Sequence, residues 1–260
     1  MSDVVLVEID GPVATVTLNR PDARNALNRD LRKAIPSTLL ELDGRDDVAA
    51  IVLTGADPAF CAGIDLKELA AGGDALRETG ATGEPAAHRG PFPPMETPVI
   101  GAINGVAITG GFELALACDF LIASERARFA DTHARVGVMP GWGLTVLLPE
   151  AIGVRRAKEL STTGNFLDAA TARSWGLVNH VVPHEELLPV CRQLGHDIAT
   201  VERRAVRRML QTYDDGALRD GAGAWALEAE VASAWQGAGL DPDAIERNRQ
   251  AVVARGRTQL

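Results

Sequence analysis

The sequence feature that most constrains the fold is the stretch GAINGVAITGGFELALACDF, residues 101–120. It is almost entirely apolar or small, so we expect it in the interior of a folded domain. A single carboxylate, Glu113, stands in its middle, directly after two glycines. Because burying a lone carboxylate is costly, Glu113 is expected to be a helix cap, a partner in an ion pair or an acid–base group. The stretch by itself leaves these three alternatives open.

The length and charge of the chain narrow the class of protein. Its 260 residues fit one large domain, with or without a small appendage. The net charge of −9 argues against a nucleic-acid partner, because a protein that binds nucleic acid needs a basic face. Residues 99–118 are the only stretch long enough to suggest a membrane span. A central acid there costs about 3 kcal/mol on insertion scales, so we expect no membrane contact.

The cysteine and histidine spacings argue against disulfides and metal sites. The cysteines are odd in number and widely spaced, which is typical of reduced thiols in a cytoplasmic protein. They are Cys61, Cys118 and Cys191. His180 and His184 have a metal-like spacing, but Pro183 interrupts any helix that would align them. We therefore predict no metal site.

The order of the apolar segments predicts an α/β fold. VVLVEIDGPVATVTL reads as two strands joined at Asp10-Gly11, and VAAIVLTG, PVIGAIN, FLIAS and ARFA read as further strands. Asn28 can cap a helix whose apolar residues share one face, although Pro36 makes its middle doubtful. From about Val154 the pattern is mostly helical, and we interpret the glycine- and proline-rich residues 70–94 as a mobile loop near a site.

The segment TGGFELALACD predicts a buried helix that begins near Gly110. The first amides of a helix lack internal partners and lie at the positive end of its dipole, so they suit an oxygen that gains negative charge. Glu113 falls in the same turn. A capping glutamate after two glycines that merely relieve crowding is the alternative interpretation. The glycines match neither a P-loop nor a dinucleotide fingerprint, which makes nucleotide hydrolysis an unlikely function.

Five motifs occur along the chain in a characteristic order and spacing. They are LNRPDARNAL (18–27), AFCAGIDL (59–66), INGVAITGGFELALACD (103–119), GVMPGWG (137–143) and ATARSWGLVNHVV (170–182). Together they resemble the crotonase superfamily, the enoyl-CoA hydratase/isomerase group. The resemblance implies a crotonase-like spiral of ββα units over residues 1–200. It also implies a helical C-terminal oligomerisation region over residues 201–260, a homotrimer or a dimer of trimers, and a default association with fatty acid metabolism.

The resemblance also implies a site for an acyl-CoA thioester. CoA is part of that substrate, so no separate cofactor is expected. The backbone amides of Ile64 and Gly110 would form an oxyanion hole, and Arg24 would contact a CoA phosphate unless it is simply a solvated surface residue. Trp142 would wall the acyl pocket or anchor the core. The remaining loop residues implied to meet CoA are Ala62, Gly63 and Asp65.

The chain departs from the family at a catalytic position. Family hydratases use two glutamates, of which Glu113 matches the first, whereas the second is replaced in FADTHARVG by Thr132-His133. In our main interpretation Glu113 and His133 together hydrate trans-2-enoyl-CoA to 3-hydroxyacyl-CoA. Alternatively, Glu113 acts alone in an isomerase or another crotonase-type reaction, or His133 is structural in a catalytically weak acyl-CoA binder. Asp131 is a further candidate for the missing carboxylate.

Overall fold

The fold starts with the hairpin that the sequence predicts around Asp10-Gly11. In the computed structural model, which describes residues 4–70 and 90–237, strand β1 (Val5–Asp10) pairs antiparallel with β2 (Val13–Leu18). Gly11 adopts a φ of 55°, the left-handed conformation that favours glycine in a tight turn.

Two sheets form the centre of the molecule. The larger has six strands in the order β1, β2, β3 (Ala50–Gly55), β5 (Val99–Ile103), β7 (Phe120–Ser124) and β10 (His180–Val182), and it is parallel from β2 onwards. The smaller has four strands in the order β4 (Ala59–Cys61), β6 (Val106–Ile108), β8 (Arg128–Ala130) and β9 (Leu167–Asp168). In chain order, β3 to β8 contribute alternately to the larger and the smaller sheet. Each turn of the chain thus adds one strand to both sheets, which is the predicted spiral.

The described residues also form helices of different lengths. In chain order they are α1 (Arg29–Asp43), α2 (Leu66–Ala70), α3 (Gly110–Leu116), α4 (His133–Val136), α5 (Leu144–Ile152), α6 (Val154–Thr163), α7 (Ala169–Trp175), α8 (Leu187–Ala199), α9 (Arg203–Ala217) and α10 (Gly221–Gly237), with short 3-10 helices at Pro21–Ala23 and His184–Glu186. The core between the helices and sheets is apolar, and its largest fully buried side chains include Phe60, Phe112 and Phe129.

Helix α1 begins where the sequence predicts and passes through Pro36. The Asn28 side chain accepts a hydrogen bond from the amide of Leu31 at 3.0 Å, as an N-cap does. Proline inside a helix costs about 3 kcal/mol, but burying one leucine or isoleucine returns about 1.5–3 kcal/mol. The helix buries four such side chains, namely Leu31, Ile35, Leu39 and Leu42. Their burial therefore outweighs the proline, and the doubt about the middle of this helix was wrong.

The chain divides into two compact units, Met1–Arg207 and Arg208–Leu260. The division falls near the predicted boundary at residue 200, while an oligomerisation role for the second unit stays a prediction. Residues 71–89 and 238–260, which include most of the predicted mobile loop, lie outside the described part of the chain. No helix within residues 4–70 and 90–237 is long and apolar enough to cross a membrane.

Candidate active site

Glu113 lies in the first turn of α3, and the two glycines before it let this helix pack tightly. A Cβ atom on Gly111 would lie 2.2 Å from the carbonyl oxygen of Cys61 on β4, so only glycine fits at this position. Phe112, the next residue in the chain, packs against Phe129 of β8 with ring centroids 5.4 Å apart. The helix is thereby held against the smaller sheet, and Glu113 is left only 3% exposed.

Glu113 belongs to a buried row of three titratable side chains. Its Oε2 atom lies 3.4 Å from Nε2 of His133, and Nδ1 of His133 lies 2.7 Å from Oδ1 of Asp131. Asp131 and His133 are 2% and 3% exposed. The other carboxylate oxygen of Glu113, Oε1, accepts a hydrogen bond from the backbone amide of Trp142 at 2.7 Å. Glu113 therefore has partners on both oxygens, and its side chain is an ion-pair partner rather than a helix cap.

The two carboxylates favour the protonated form of His133. Burial opposes a charge on the imidazole, but hydrogen bonds to Asp131 and Glu113 and their negative charges outweigh it and raise the pKa of His133 to about 9. Burial likewise opposes charge on Asp131, yet hydrogen bonds from His133 and Ser161 lower the pKa of that carboxyl. The row thus holds a ring that favours its charged form between two carboxyl groups.

The backbone amides of Ile64 and Gly110 border a common space. A Cβ atom on Gly110 would lie 3.7 Å from the nitrogen of Ile64, and one on Gly63 would lie 3.4 Å from the nitrogen of Gly110. Neither Ile64 nor Gly110 donates its amide to a backbone carbonyl elsewhere in the described residues. Two amides at one place, without a backbone acceptor among the described residues, would suit an oxygen that gains negative charge, and the oxyanion hole stays a prediction.

Thr109, directly before Gly110, has a strained backbone. Its φ of 54° and ψ of −115° are unusual for a β-branched residue and cost on the order of 1–3 kcal/mol. Its amide donates to the carbonyl of Ala130 at 2.9 Å, and its hydroxyl lies 2.6 Å from that of Thr132. These bonds connect the residue before Gly110 to the segment that carries Asp131 and His133. Sequence reasoning missed this connection, for which the one signal was a threonine before Gly-Gly.

The residues predicted to contact CoA lie in or beside the loop that carries Ile64, and several of their groups already have partners within the protein. The amide of Ala62 donates to the carbonyl of Arg24 at 3.0 Å, and the Arg24 side chain is exposed. The Asp65 carboxylate already pairs with Arg20 at 3.2 Å and accepts the Lys67 amide at 3.1 Å at the start of α2. Its carboxylate therefore stabilises the loop, and direct contacts of these residues with CoA stay predictions.

Two side chains near the loop have roles that the sequence did not reveal. Asn25 is fully buried, and its amide group donates to the carbonyls of Ala56 and Ala59 at 2.9 and 2.7 Å, which fixes the segment before the oxyanion loop. Cys61 donates to the carbonyl of Asn25 at 3.1 Å, and burial raises the pKa of its thiol to about 12. Cys61 is therefore a packing residue and not a nucleophile.

The Trp142 side chain is half-buried and packs against the core, in keeping with a core anchor.

The histidines considered for a metal have other partners. Nδ1 of His184 lies 3.1 Å from the Ser124 hydroxyl and Nε2 lies 3.0 Å from Asp57, while His180 contacts Arg173. Within the described residues no group of three or more His, Cys, Asp or Glu side chains could hold a metal ion.

Comparison with known proteins identifies relatives that share this architecture. The family described as enoyl-CoA hydratase/isomerase matches residues 8–238. A probable peroxisomal enoyl-CoA hydratase 1 of Arabidopsis thaliana is 37% identical, over 95% of this chain and 91% of its own length. A crystal structure of enoyl-CoA hydratase from Mycobacterium smegmatis is 47% identical with a TM-score of 0.75, covering 91% of this chain and 100% of its own. A monofunctional enoyl-CoA isomerase from M. smegmatis is 32% identical with a TM-score of 0.68, covering 86% and 98%.

The family match extends over most of the spiral, the amides of Ile64 and Gly110 and the buried row of Glu113, His133 and Asp131. These comparisons confirm the expected superfamily and its fold. The alternating two-sheet spiral and the match over most of its length place the chain in the enoyl-CoA hydratase/isomerase family of the crotonase superfamily.

Proposed function

We propose that the protein adds water across the double bond of a trans-2-enoyl-CoA thioester to give the 3-hydroxyacyl-CoA. The observation that carries the proposal is the contact of 3.4 Å between Glu113 and His133 in a buried site beside two unpaired amides. Water addition needs one group that accepts a proton and one that donates it. An imidazolium facing a carboxylate supplies both.

The amides of Ile64 and Gly110 would act first. The thioester oxygen accepts their hydrogen bonds, which draws electron density from C3 and stabilises the enolate that forms when C3 is attacked. Losing one such donor in an oxyanion hole typically costs about 10²–10³ in kcat. Because these donors belong to the backbone, they are already oriented before the substrate arrives.

The acid–base pair then completes the addition. Glu113 takes a proton from water as the water oxygen bonds to C3, and the π electrons of the double bond move into the enolate. The enolate collapses, and C2 takes the proton from Nε2 of His133. Glu113 is then protonated and His133 neutral, so one transfer across their 3.4 Å contact restores both groups.

Isomerisation is the second candidate, because the relatives include a protein named as a monofunctional enoyl-CoA isomerase. In that reaction Glu113 alone would move a proton between two carbons, and no water would be added. The presence of a second titratable group in contact with Glu113 favours hydration, since a one-base isomerase has no need of His133.

The test is turnover of crotonyl-CoA and of a longer trans-2-enoyl-CoA by the wild type and by His133→Ala. We expect the enoyl absorbance to fall, the product to gain the mass of one water, and His133→Ala to abolish both. His180→Ala, which changes an exposed histidine, is the matched control and should keep wild-type turnover. Conversion of a 3-enoyl-CoA without a gain of mass, and without any hydration, would establish the isomerase instead.

The proposal extends to the assembly and setting of the enzyme. We infer a homotrimer or a dimer of trimers that uses an acyl-CoA thioester and no added cofactor. The resemblance of the five motifs supports this assembly. A cytoplasmic location is supported by three buried free cysteines, although the Arabidopsis relative is named as peroxisomal.

A further inference from the structure

The proposed reaction leaves one buried member of the row without a role. We propose that Asp131 is a positioning residue that holds the His133 ring with Nε2 towards Glu113 and retains its second proton, which makes His133 the acid and Glu113 the base. This inference rests on the proposed hydration. Asp131 acts only through His133 and remains ionised throughout the reaction.

The first argument is geometric. One oxygen of Asp131, Oδ1, accepts from Nδ1 of His133 at 2.7 Å and from the backbone amide of His133 at 3.1 Å. The ring is thus tied to its own backbone, and a flip would exchange a short hydrogen bond for a carbon–oxygen contact. In this orientation Nε2 has Glu113 as its neighbour, so Asp131 determines which ring nitrogen faces the reacting pair.

The second argument concerns the number of protons on the ring. A neutral imidazole has one N–H and one acceptor nitrogen. If Nδ1 donates to Asp131, a neutral ring would point a bare nitrogen at the Glu113 carboxylate, and two acceptors would face each other in a buried site. A ring that is protonated on both nitrogens satisfies both carboxylates at once. The contacts on both sides therefore favour the imidazolium.

Within the part of the chain that the structure describes, Glu113 is the other charged group in contact with the ring. Glu113 faces the ring from α3, and from α6 the neutral hydroxyl of Ser161 bonds to Asp131. Arg135, on the same short helix as His133, directs its guanidinium to the carbonyl of Thr163. Without Asp131, Glu113 alone would oppose the effect of burial, so the ring would lose its second proton at a lower pH.

The direct test replaces Asp131 by the isosteric asparagine and follows the pH dependence of turnover. With the imidazole pKa near 9, the wild type should remain active up to that pH. In Asp131→Asn, where Glu113 remains beside the ring, the pKa should fall towards its ordinary value of ~6.5, so the loss in kcat should reach up to about 30-fold at pH 8 but stay below about twofold at pH 6. Affinity for a non-reacting acyl-CoA should not change. A uniform loss at both pH values would overturn the proposal.

The matched control places the same change in a His133→Glu background. No imidazole is then present, so adding Asp131→Asn should change kcat at pH 8 by less than about twofold. An equal loss in both backgrounds would mean that Asp131 acts on the fold and not on His133, which would contradict the inference.

A measurement that needs no turnover separates this inference from the proposed hydration. The chain has five histidines, and labelled-imidazole NMR with His133→Gln for assignment would follow His133 alone. We expect both ring nitrogens to be protonated at pH 7.5 in the wild type and one of the two to be deprotonated in Asp131→Asn. If both signals are observed but the enzyme does not hydrate an enoyl-CoA, only the proposed function fails. If wild-type His133 is neutral at pH 7.5, the inference fails whatever the enzyme catalyses.

Discussion

Replacing each of the two adjacent glycines at the start of α3 by alanine should have a different effect. The change at Gly111 should lower the stability of the fold, and the change at Gly110 should lower turnover. In Gly111→Ala the new Cβ would lie 2.2 Å from the oxygen and 2.8 Å from the carbon of the Cys61 carbonyl. Both are backbone atoms, so α3 and β4 must separate by about 1 Å to reach ordinary contact. Overpacking of this kind costs about 1–3 kcal/mol or more, whereas alanine returns at most about 1 kcal/mol of helix propensity.

The net loss for Gly111→Ala is therefore about 2 kcal/mol, or a fall in Tm of about 4–8 °C for a chain of this size. In Gly110→Ala the nearest atoms are side-chain ends, Cδ1 of Leu27 at 3.2 Å and Cγ1 of Ile64 at 3.7 Å, which can move. Its Tm should stay within about 2 °C of the wild type. Its turnover should nevertheless fall, because the methyl borders the space in front of the Ile64 amide.

Thermal unfolding followed by circular dichroism, together with hydration of crotonyl-CoA, measures both effects. If Gly111→Ala kept the Tm and the turnover of the wild type, the close approach of α3 to β4 would be refuted. A Gly110→Ala variant that is as unstable as Gly111→Ala would refute the assignment of Gly110 to the site rather than to packing.

Three further predictions concern the acid–base row and its support. Glu113→Gln should lower kcat by about 10²–10⁴ with the affinity for a CoA ligand unchanged in calorimetry, and near-normal turnover would exclude Glu113 as the base. Thr132→Val should lose about 1 kcal/mol in urea unfolding because it breaks the 2.6 Å bond to Thr109, whereas Thr132→Ser should lose less than half of that; equal losses would show that the hydroxyl bond is not stabilising. Because the pKa of His133 is raised in the folded state, protonation of His133 stabilises the fold. This stabilisation is complete below the unfolded pKa of 6.5 and is lost as the pH rises to about 9. Over that window the free energy of unfolding should fall by roughly 2–3 kcal/mol more in the wild type than in His133→Asn, and parallel curves would contradict the shift.

Local chemistry was sufficient to predict much of the fold. The Asp10-Gly11 turn needs only a glycine at positive φ, and the Asn28 cap needs only the three residues that follow it. The strand β9 has two residues, Leu167–Asp168, and no sequence period can reveal so short a pairing. Its place depends on β8, which pairs with it from far earlier in the chain.

The sequence yields candidate members of the site but not their contacts. The motifs point to Glu113, His133 and the amide of Gly110, whose catalytic roles stay predictions. The hydrogen bond from Nδ1 of His133 to Asp131 depends on side-chain directions that a loop sequence does not determine. A further contact that the sequence does not reveal lies at the start of α9. Arg203 donates to the carbonyls of Arg45 and Asp46, because carbonyls at the end of α1 lie within reach only in the folded chain.

The hydrogen bond from the Trp142 amide to Glu113 has a consequence for how substrate preference can evolve. The segment of residues 137–143 supplies this donor from its backbone, while the Trp142 side chain from the same residue packs against the core. The family resemblance implies that Trp142 walls the acyl pocket. On that prediction, a change that reshapes the segment to admit a different acyl chain would also shift the donor that orients Glu113, and selectivity and rate would be coupled in this segment. Variation that leaves its main chain in place, such as an exchange of the indole for another aromatic ring, would then be the route by which new substrates are accepted without loss of turnover.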